Sequence, residues 1–260
     1  MKILVTFALE NEFAPWREMR KFQRREWGAT EGYFAKVGSA EVGVILTGIG
    51  SKHAGVESSK VIWGEYDSID YCISSGFAGA LKPEYRIGQT LVARNVFPDE
   101  QRADMENQTL ASSEALVNLA TECGAMPVER FCTVNHVVST PEEKRRLGSR
   151  FDAVEMETFE VMGESLAFGI APVAIRTVSD EVDENLPLDF GKVTTDDGKV
   201  SLPRVLKEVA RRPQSIPGLM RLGKHSRYAA ESLAEFLDRY VVTLGKGVDV
   251  VGAKVTAAAR

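Results

Sequence analysis

The sequence has few of the residues that build metal centres. Only three cysteines and three histidines occur among its 260 residues, and no two cysteines form a CxxC pair. These residues are Cys72, Cys123, Cys132, His53, His136 and His225. Their wide separation predicts no metal site, and we expect no cofactor. Cys72 lies in an apolar run, which favours a buried core residue over a nucleophile.

The sequence also lacks a net positive charge and long apolar runs. The formal net charge is −5. Although the segment 203–227 is locally basic, we therefore expect no nucleic-acid partner. No segment approaches about 18 uninterrupted apolar residues, the length of a membrane span. The first five residues enter a strand pattern at once, without the features of a secretory leader. We therefore expect a cytoplasmic protein.

The size and composition fit one large α/β unit. A chain of this length with 44% hydrophobic residues can bury a substantial core. We expect a single domain over residues 1–245. Turn residues and prolines in 181–227 predict an irregular insertion, and residues 246–260 a flexible tail.

Short apolar strands alternate with helical segments along most of the chain. This order predicts a three-layer α/β/α fold with a central mixed, largely parallel sheet. We expect helices at 12–26 and 226–240, a strand at 129–138, and a strand that breaks into a loop at Gly76-Phe-Ala-Gly79.

Acidic residues stand at the predicted ends of several strands. Glu155 and Glu157 flank a methionine at the end of one apolar segment, and Asp180 ends another. Glu12 follows the first strand at a strand-to-helix junction. Ligands of open α/β sheets collect at the carboxyl ends of the strands, so these acids are candidates for a common site. The alternatives are ordinary polar strand ends and acids that stabilise a helix N-terminus.

Two glycine-containing turns offer exposed backbone. Gly48-Ile-Gly50 precedes a predicted helix, where amides can hold an anion or a sugar hydroxyl, but it lacks the full dinucleotide or P-loop pattern. Gly76 and Gly79 would allow a ligand to approach the backbone closely, or would simply form a tight turn.

In this order, the motifs resemble the purine nucleoside phosphorylase and nucleosidase superfamily, most closely its methylthioadenosine/S-adenosylhomocysteine nucleosidase branch. The resemblance covers roughly residues 1–182. It is carried by the opening strand with its acids, the two glycine turns, the strand Val154-Glu-Met-Glu157, and the strand Arg176-Thr-Val-Ser-Asp180.

The resemblance implies cleavage of the N-glycosidic bond of a purine nucleoside. Asp180 would be the acid that protonates N7 of the base as the C1′–N9 bond lengthens, which requires its carboxyl to be protonated near neutral pH. Glu157 would accept hydrogen bonds from the ribose hydroxyls beside the developing positive charge. Glu12 falls where the nucleosidase branch keeps the base that activates water.

The same resemblance assigns supporting positions. Met156 would pack under the sugar, and Phe77 would stack on the base or narrow the pocket. Ser179 would hold Asp180, while Glu155 and Arg176 would support the residues that touch substrate. The remaining substrate-binding positions are Ile49 in the first glycine turn and, against the adenine edge, Val137 and Val138.

Two other functions are compatible with these residues. A phosphorylase would need cations for phosphate, but Ser74 and Ser75 stand where an arginine is expected, and Phe77 replaces a serine; only Lys52 lies near the first turn. The second alternative is an inactive nucleoside-binding module, which would not need all three acids. The pattern therefore favours hydrolysis.

The region after residue 181 is longer than in a minimal methylthioadenosine nucleosidase and resembles the hopanoid-pathway members that act on adenosylhopane. The substrate would be a methylthioadenosine-like or adenosylhopane-like 5′-substituted adenosine, with futalosine-type substrates as a further alternative. The apolar residues of this region would line a pocket for a 5′ substituent, face a membrane surface, cover the sheet edge or pack the interface of a homodimer or higher homo-oligomer. They are Leu186, Leu188, Phe190, Ile216, Leu219, Met220 and Leu222.

Overall fold

The computed structural model describes residues 1–27, 30–98, 108–187, 190–193, 195, 198, 201–211 and 213–247. Within them the strands are β1 (Lys2–Phe7), β2 (Gln23–Trp27), β3 (Thr30–Val37), β4 (Ala40–Leu46), β5 (Tyr71–Ala80), β6 (Thr90–Pro98), β7 (Leu110–Ala111), β8 (Met126–Thr133), β9 (Ala153–Glu155) and β10 (Ala171–Asp180). The helices are α1 (Glu10–Arg20), α2 (Ser51–Glu65), α3 (Glu114–Glu122), α4 (Pro141–Gly148), α5 (Thr158–Ala167), α6 (Phe190–Val193), α7 (Leu202–Arg211) and α8 (Ile216–Gly245). Short 3₁₀ helices lie at Tyr66–Ser68 and Pro213–Ser215.

The strands form one mixed sheet in the order β10-β6-β8-β9-β5-β1-β4-β3-β2. Its centre is parallel, because β1 pairs with β4 and β5, and β5 also pairs with β10. The pairs β2–β3, β3–β4, β5–β9 and β6–β10 are antiparallel. Since β5 contacts both β10 and β9, the strands β5, β10, β6, β8 and β9 close into a small barrel. The barrel brings the ends of β5, β9 and β10 to one place.

Helices cover both faces of the sheet, as the alternation predicts. On one face, α1, α3 and α8 pack Phe13, Trp16, Leu116 and Leu237 against strand residues such as Val5. On the other face, helices α2 and α5 bury Val61, Ile62 and Val161 against Leu4 and Cys72. Cys72 is fully buried in this second core, and burial raises the pKa of its thiol to about 12.

Three predicted boundaries were wrong. The helix predicted over 12–26 ends at Arg20, because Lys21 adopts a left-handed φ of 54° and Gln23–Trp27 pairs with β3 as a strand. β5 does not break into a loop but continues through Gly76 and Gly79, held by β10 and β9. The strand predicted over 129–138 ends at Thr133, where the short β9 no longer offers a partner.

The long helix α8 begins earlier than the pattern indicated. It includes residues 216–225, which were predicted to belong to the irregular insertion, and continues through 226–240. Within the described part of that insertion, α7 is also regular. Leu188 and residues 248–260 of the predicted tail lie outside the described residues, so the tail and the single-domain boundary stay predictions. No helix among the described residues is long and apolar enough to cross a membrane.

Candidate active site

A cavity of about 1830 Å³ opens at the edge where the carboxyl ends of β1, β4, β5, β9 and β10 meet. Nearly all the residues singled out in the sequence line it. They are Glu12, Ile49, Phe77, Val137, Val138, Glu155, Met156, Glu157, Ser179 and Asp180. Arg176 is almost fully buried directly beneath them. Strand order therefore gathers side chains that are up to 168 positions apart in the chain, from Glu12 to Asp180.

Glu12 stands in the first turn of α1 and points back into the sheet edge. Its Oε2 accepts hydrogen bonds from the amides of Ala8 and Leu9, both at 2.9 Å, and its Oε1 accepts the amide of Phe77 at 3.0 Å. An ionised carboxylate accepts about four hydrogen bonds, so Oε1 keeps capacity for one more donor. Desolvation raises the pKa of Glu12, although Arg176 and the backbone amides oppose the rise. A buried base with a raised pKa suits proton abstraction near neutral pH.

Glu155 differs from the other acids because its carboxylate is fully buried and accepts from five protein donors. Oε2 accepts from the amides of Glu157 and Thr158, from the Thr158 hydroxyl and, at 2.6 Å, from Nη2 of Arg176. The Thr133 hydroxyl donates to Oε1. Glu155 therefore fixes the start of α5 and holds Arg176, with no room for a ligand.

Glu157 lies next to this cluster with a less occupied carboxylate. Its Oε1 accepts the amide of Gly50 at 2.9 Å, and its Oε2 lies 3.4 Å from Nη1 of Arg176. Burial raises the pKa of Glu157 to about 7 against the lowering effect of Arg176; the charges of Glu155 and Glu12 add to the rise. The free acceptor sites of this carboxylate face the cavity, where they can accept from vicinal hydroxyls.

Asp180 ends β10 and is held on both oxygens. Oδ1 accepts the Ser179 hydroxyl at 2.7 Å, and Oδ2 accepts Nζ of Lys144 at 2.5 Å. Lys144 is fully buried on α4. Sequence reasoning missed it, because it stands among charged neighbours in Glu142-Glu-Lys-Arg-Arg146 and its burial leaves no trace in that pattern.

Gly76 allows the acids to approach the backbone of β5. It has a φ of 137°, and a Cβ there would lie 2.6 Å from Nη1 of Arg176 and 3.0 Å from Oε1 of Glu12. At Gly79 a Cβ would lie 3.0 Å from Oδ2 of Asp180. These glycines thus allow close approach to the strand by the protein's own side chains, whereas the predicted approach of a ligand stays a prediction.

Apolar residues occupy the rest of the cavity near the acids. Val137 and Val138 lie in the irregular segment after β8, so their backbone is outside any strand ladder. Met156 and Ile49 are half-buried in the lining, and each directly precedes one partner of the hydrogen bond between Gly50 and Glu157. Phe77 is also half-buried in the lining, and its amide is already bonded to Glu12.

The cavity continues well beyond the acids, along α1 and α8. Of the apolar residues grouped from the sequence after residue 181, Leu186, Leu219 and Leu222 line it, together with Val205. Ile216 and Met220 instead lie exposed on α8, 44% and 63% accessible. Leu188 and the side chain of Phe190 are outside the described residues.

The lining is strongly acidic. Besides the acids already named, it includes Glu10, Glu18, Glu31, Glu57 and Glu231. Among the described lining residues the arginines are Arg24 and Arg227, and there is no lysine. Both arginines are exposed at the rim and pair with Glu31 and Glu231. Lys52 is exposed and lies outside the lining.

Comparisons with known proteins agree on a family. Residues 2–211 match the family model of the phosphorylase superfamily. The aminodeoxyfutalosine nucleosidase of Campylobacter jejuni subsp. jejuni serotype O:2 is 25% identical over an alignment of 225 residues, and the match covers 80% of this chain and 97% of that protein.

Solved structures share the fold at lower identity. The 5′-methylthioadenosine/S-adenosylhomocysteine nucleosidase of Helicobacter pylori, complexed with butyl-thio-DADMe-Immucillin-A, superposes with a TM-score of 0.71 and 20% identity over 93% of this chain and 97% of that one. The futalosine hydrolase of the same species gives 0.70 and 22% over 93% and 97%. These likenesses confirm the predicted mixed α/β fold.

Proposed function

The chain belongs to the phosphorylase superfamily, and on that premise we propose that it is a nucleosidase, which hydrolyses the N-glycosidic bond of a 5′-substituted adenosine and releases adenine. The observation that carries this proposal is the meeting of Glu12, Glu157 and Asp180, from three separate elements, around one cavity. The names of the similar proteins, which are nucleosidases and a futalosine hydrolase, support it.

In the proposed reaction the three acids have different tasks. Asp180 donates a proton to N7 of the purine, Glu157 binds the ribose hydroxyls, and Glu12 removes a proton from the attacking water. The negative charges of Glu157 and Glu12 also lie where positive charge develops on the sugar. Glu155 and Arg176 do not touch substrate in this scheme, because their polar atoms are engaged with one another and with Thr158.

The neighbours of the acids support their placement relative to the substrate. With the sugar over Met156 and beside Ile49, the base would extend toward Val137, Val138 and Phe77, which continue the same lining. The backbone of 137 and 138, free of a strand ladder, is then available to read the adenine edge.

The charge of the site favours water over phosphate as the nucleophile. A phosphorylase has to stabilise a phosphate dianion under the sugar, which calls for cations close to the first and second glycine turns. Among the described residues, the cation that lies against the second glycine turn is Arg176. It is 1% exposed and already forms an ion pair with Glu155. The acidic lining around it would repel phosphate.

The volume of the cavity supports a substrate with an extended 5′ substituent. Ligand pockets usually measure about 300–1,000 Å³, whereas this one is about 1830 Å³. Leu186, Leu219, Leu222 and Val205 give its far part an apolar wall. We therefore favour an adenosylhopane-like substituent over a methylthio group, with futalosine-type substrates as the polar alternative.

A homodimer is part of this proposal. Helix α2 carries the exposed apolar side chains Val56 (47%) and Trp63 (69%), and the Trp63 ring lies 6.0 Å from that of Phe168. Apolar groups of this size on one helix are suited to a subunit contact. Cytoplasmic location stays a prediction.

A substrate series tests the proposed activity. Adenine release is followed for adenosines that differ only in the 5′ substituent, from hydroxyl through methylthio to long alkyl chains. We expect adenine from at least one member, with kcat/KM rising as the apolar substituent grows. Absence of adenine from every member would refute the nucleosidase, and a preference for the smallest member would refute the extended apolar pocket alone.

A further inference from the structure

Lys144 is the most deeply buried cation next to the reacting acids. Its side chain is 0% exposed. Nζ donates to Oδ2 of Asp180 at 2.5 Å, to the carbonyl of Glu181 at 2.7 Å and to the carbonyl of Glu184 at 3.2 Å. An ammonium has three donors, so all of them are used. Burying an ammonium is strongly unfavourable unless partners compensate it. A buried lysine at this position therefore indicates a role other than packing.

The fold holds α4 close enough for this contact. Gly148 lies one turn beyond Lys144, on the same face of the helix. A Cβ at Gly148 would lie 2.1 Å from the carbonyl oxygen of Leu81, so only glycine permits this packing. The Thr140 side chain caps the other end of α4 by accepting the amide of Glu143. The helix is therefore fixed at both ends around Lys144.

Among the described residues, the buried cations Arg176 and Lys144 belong to two separate groups. Arg176 is engaged with Glu155 and Glu157, which belong to the sugar side of the cavity. Lys144 has one acidic side-chain partner, Asp180, on the base side. Its other two acceptors are the backbone carbonyls of Glu181 and Glu184. The Glu181 carboxylate accepts the amide of Ile87, and the Glu184 carboxylate lies 3.4 Å from His225. The positive charge of Lys144 is thus directed at Asp180.

We propose that Lys144 is a positioning residue for Asp180, which anchors Oδ2 and stabilises the carboxylate that remains after Asp180 protonates the departing purine. This inference rests on the proposed function. In the step, the bond between Oδ1 of Asp180 and its proton breaks and an N7–H bond forms, while the electron pair of the C1′–N9 bond passes to the base; Oδ2 stays with Lys144. Water adds its hydroxyl to C1′ and gives its proton to Glu12. Lys144 stays an ammonium throughout.

If Lys144 acts through Asp180, the loss in kcat on replacing Lys144 should depend on whether the leaving group needs protonation. Adenine needs protonation to leave, whereas the 4-nitrophenolate of 4-nitrophenyl β-D-ribofuranoside leaves without it. For Lys144→Met we expect kcat for the adenine nucleoside to fall about 100-fold, the scale of losing one donor to a developing charge. KM should change little. With the nitrophenyl riboside the loss in kcat should be much smaller. With 6-chloropurine riboside it should lie between the losses for the other two substrates.

The matched control is Arg145→Met. Arg145 is the next residue on α4, and its Nη2 lies 2.5 Å from Oδ1 of Asp183, but both side chains are exposed. This variant should behave as the wild type with every leaving group. Thermal unfolding and near-UV circular dichroism of both variants report whether α4 stays in place, and Lys144→Arg, which keeps the charge, provides a second variant if Lys144→Met does not fold.

The outcomes separate the two proposals. Parallel losses for all leaving groups, or unchanged adenine release, would overturn the role of Lys144 while leaving the nucleosidase intact. A wild-type protein that cleaves none of these substrates would overturn the proposed function itself. A steeper dependence on leaving-group basicity in Lys144→Met than in the wild type is the result we expect.

Discussion

At the scale of single residues, the acids at the site are distinguished by the donors around them. Glu155 accepts from five groups and is structural, whereas Glu12 and Glu157 keep free acceptor positions. Asp180 alone is paired with a buried lysine. The division of tasks proposed for these residues follows from that difference, since acids of one chemical type act according to environment.

Replacing Asp180 by asparagine tests the acid directly. Asparagine keeps the shape of the side chain but has no carboxyl proton, so adenine release should fall by about 10²–10⁴-fold, the usual contribution of a general acid. Asp183→Asn is the control, because Asp183 is an exposed acid only three positions away that pairs with Arg145. Steady-state kinetics should show a loss in kcat for the first variant only. Equal activities would remove Asp180 from its role.

The raised pKa of Glu157 predicts a pH-dependent stability. Because burial raises this pKa from its ordinary value of 4.5 to about 7 in the folded protein, the native state binds more protons than the unfolded chain between these values. The free energy of unfolding should therefore fall as pH rises through this window and level off above it. At roughly 1.4 kcal/mol per pKa unit, the Glu157 contribution is at most about 3.5 kcal/mol.

Glu157→Gln should remove that part of the pH dependence. Urea unfolding at several pH values between about 4.5 and 8 should give a flatter profile for the variant than for the wild type, and kinetics a much lower kcat/KM for nucleosides. Profiles of identical slope would show that Glu157 is not a desolvated carboxyl in the folded protein.

At the scale of secondary structure, β5 brings Glu12 and Arg176 close to Asp180. It pairs with β1, β10 and β9, and Gly76 marks the point where Arg176 and Glu12 approach its backbone. The strand therefore needs a residue without a side chain at this position.

Gly76→Ala should damage both stability and activity. A Cβ would clash with Nη1 of Arg176 at 2.6 Å, and φ is 137°. We expect a loss of about 1–3 kcal/mol in unfolding free energy and, from the displaced acids, at least a ~10-fold loss in kcat. Gly64→Ala on α2, where a Cβ meets nothing within 4 Å, should keep activity and be at least as stable. Wild-type behaviour of Gly76→Ala would contradict the close approach.

The sequence predicts the alternation of elements well but not all of their boundaries. The apolar segments with acids at their ends predicted the strands β1, β9 and β10 together with their site residues, because hydrophobic periodicity is a local signal in the sequence. The C-terminal boundary of the helix predicted over 12–26 was wrong, since pairing of Gln23–Trp27 with β3 is a tertiary contact that a helical pattern does not reveal. Lys144 was missed for a related reason: its burial depends on Gly148 packing against Leu81, far from it in sequence.

At the scale of the whole molecule, α8 extends the site beyond the nucleoside. The helix packs against α1 and β10 and carries Leu219 and Leu222 to the far wall of the cavity. The region after β10 thus adds a second, apolar part to a site whose acids come from the strands.

This arrangement predicts that the far wall of the cavity determines how large a 5′ substituent the site accepts. Leu219→Trp should lower kcat/KM for adenosines with long apolar 5′ groups by about 10-fold or more, because overfilling a pocket costs about 1–3 kcal/mol. Methylthioadenosine should be affected little. Met220→Trp is the control, because Met220 is 63% exposed on the same helix and outside the lining. Equal effects on short and long substrates would contradict the assignment.

The central claim, hydrolysis by water at an acidic site, is tested most directly by the fate of the sugar. Adenine release is measured with and without inorganic phosphate, and the sugar product is identified by mass spectrometry and ³¹P NMR. We predict equal rates in both conditions and a free 5-substituted ribose as the product. Adenine release that requires phosphate and yields the sugar 1-phosphate would contradict it.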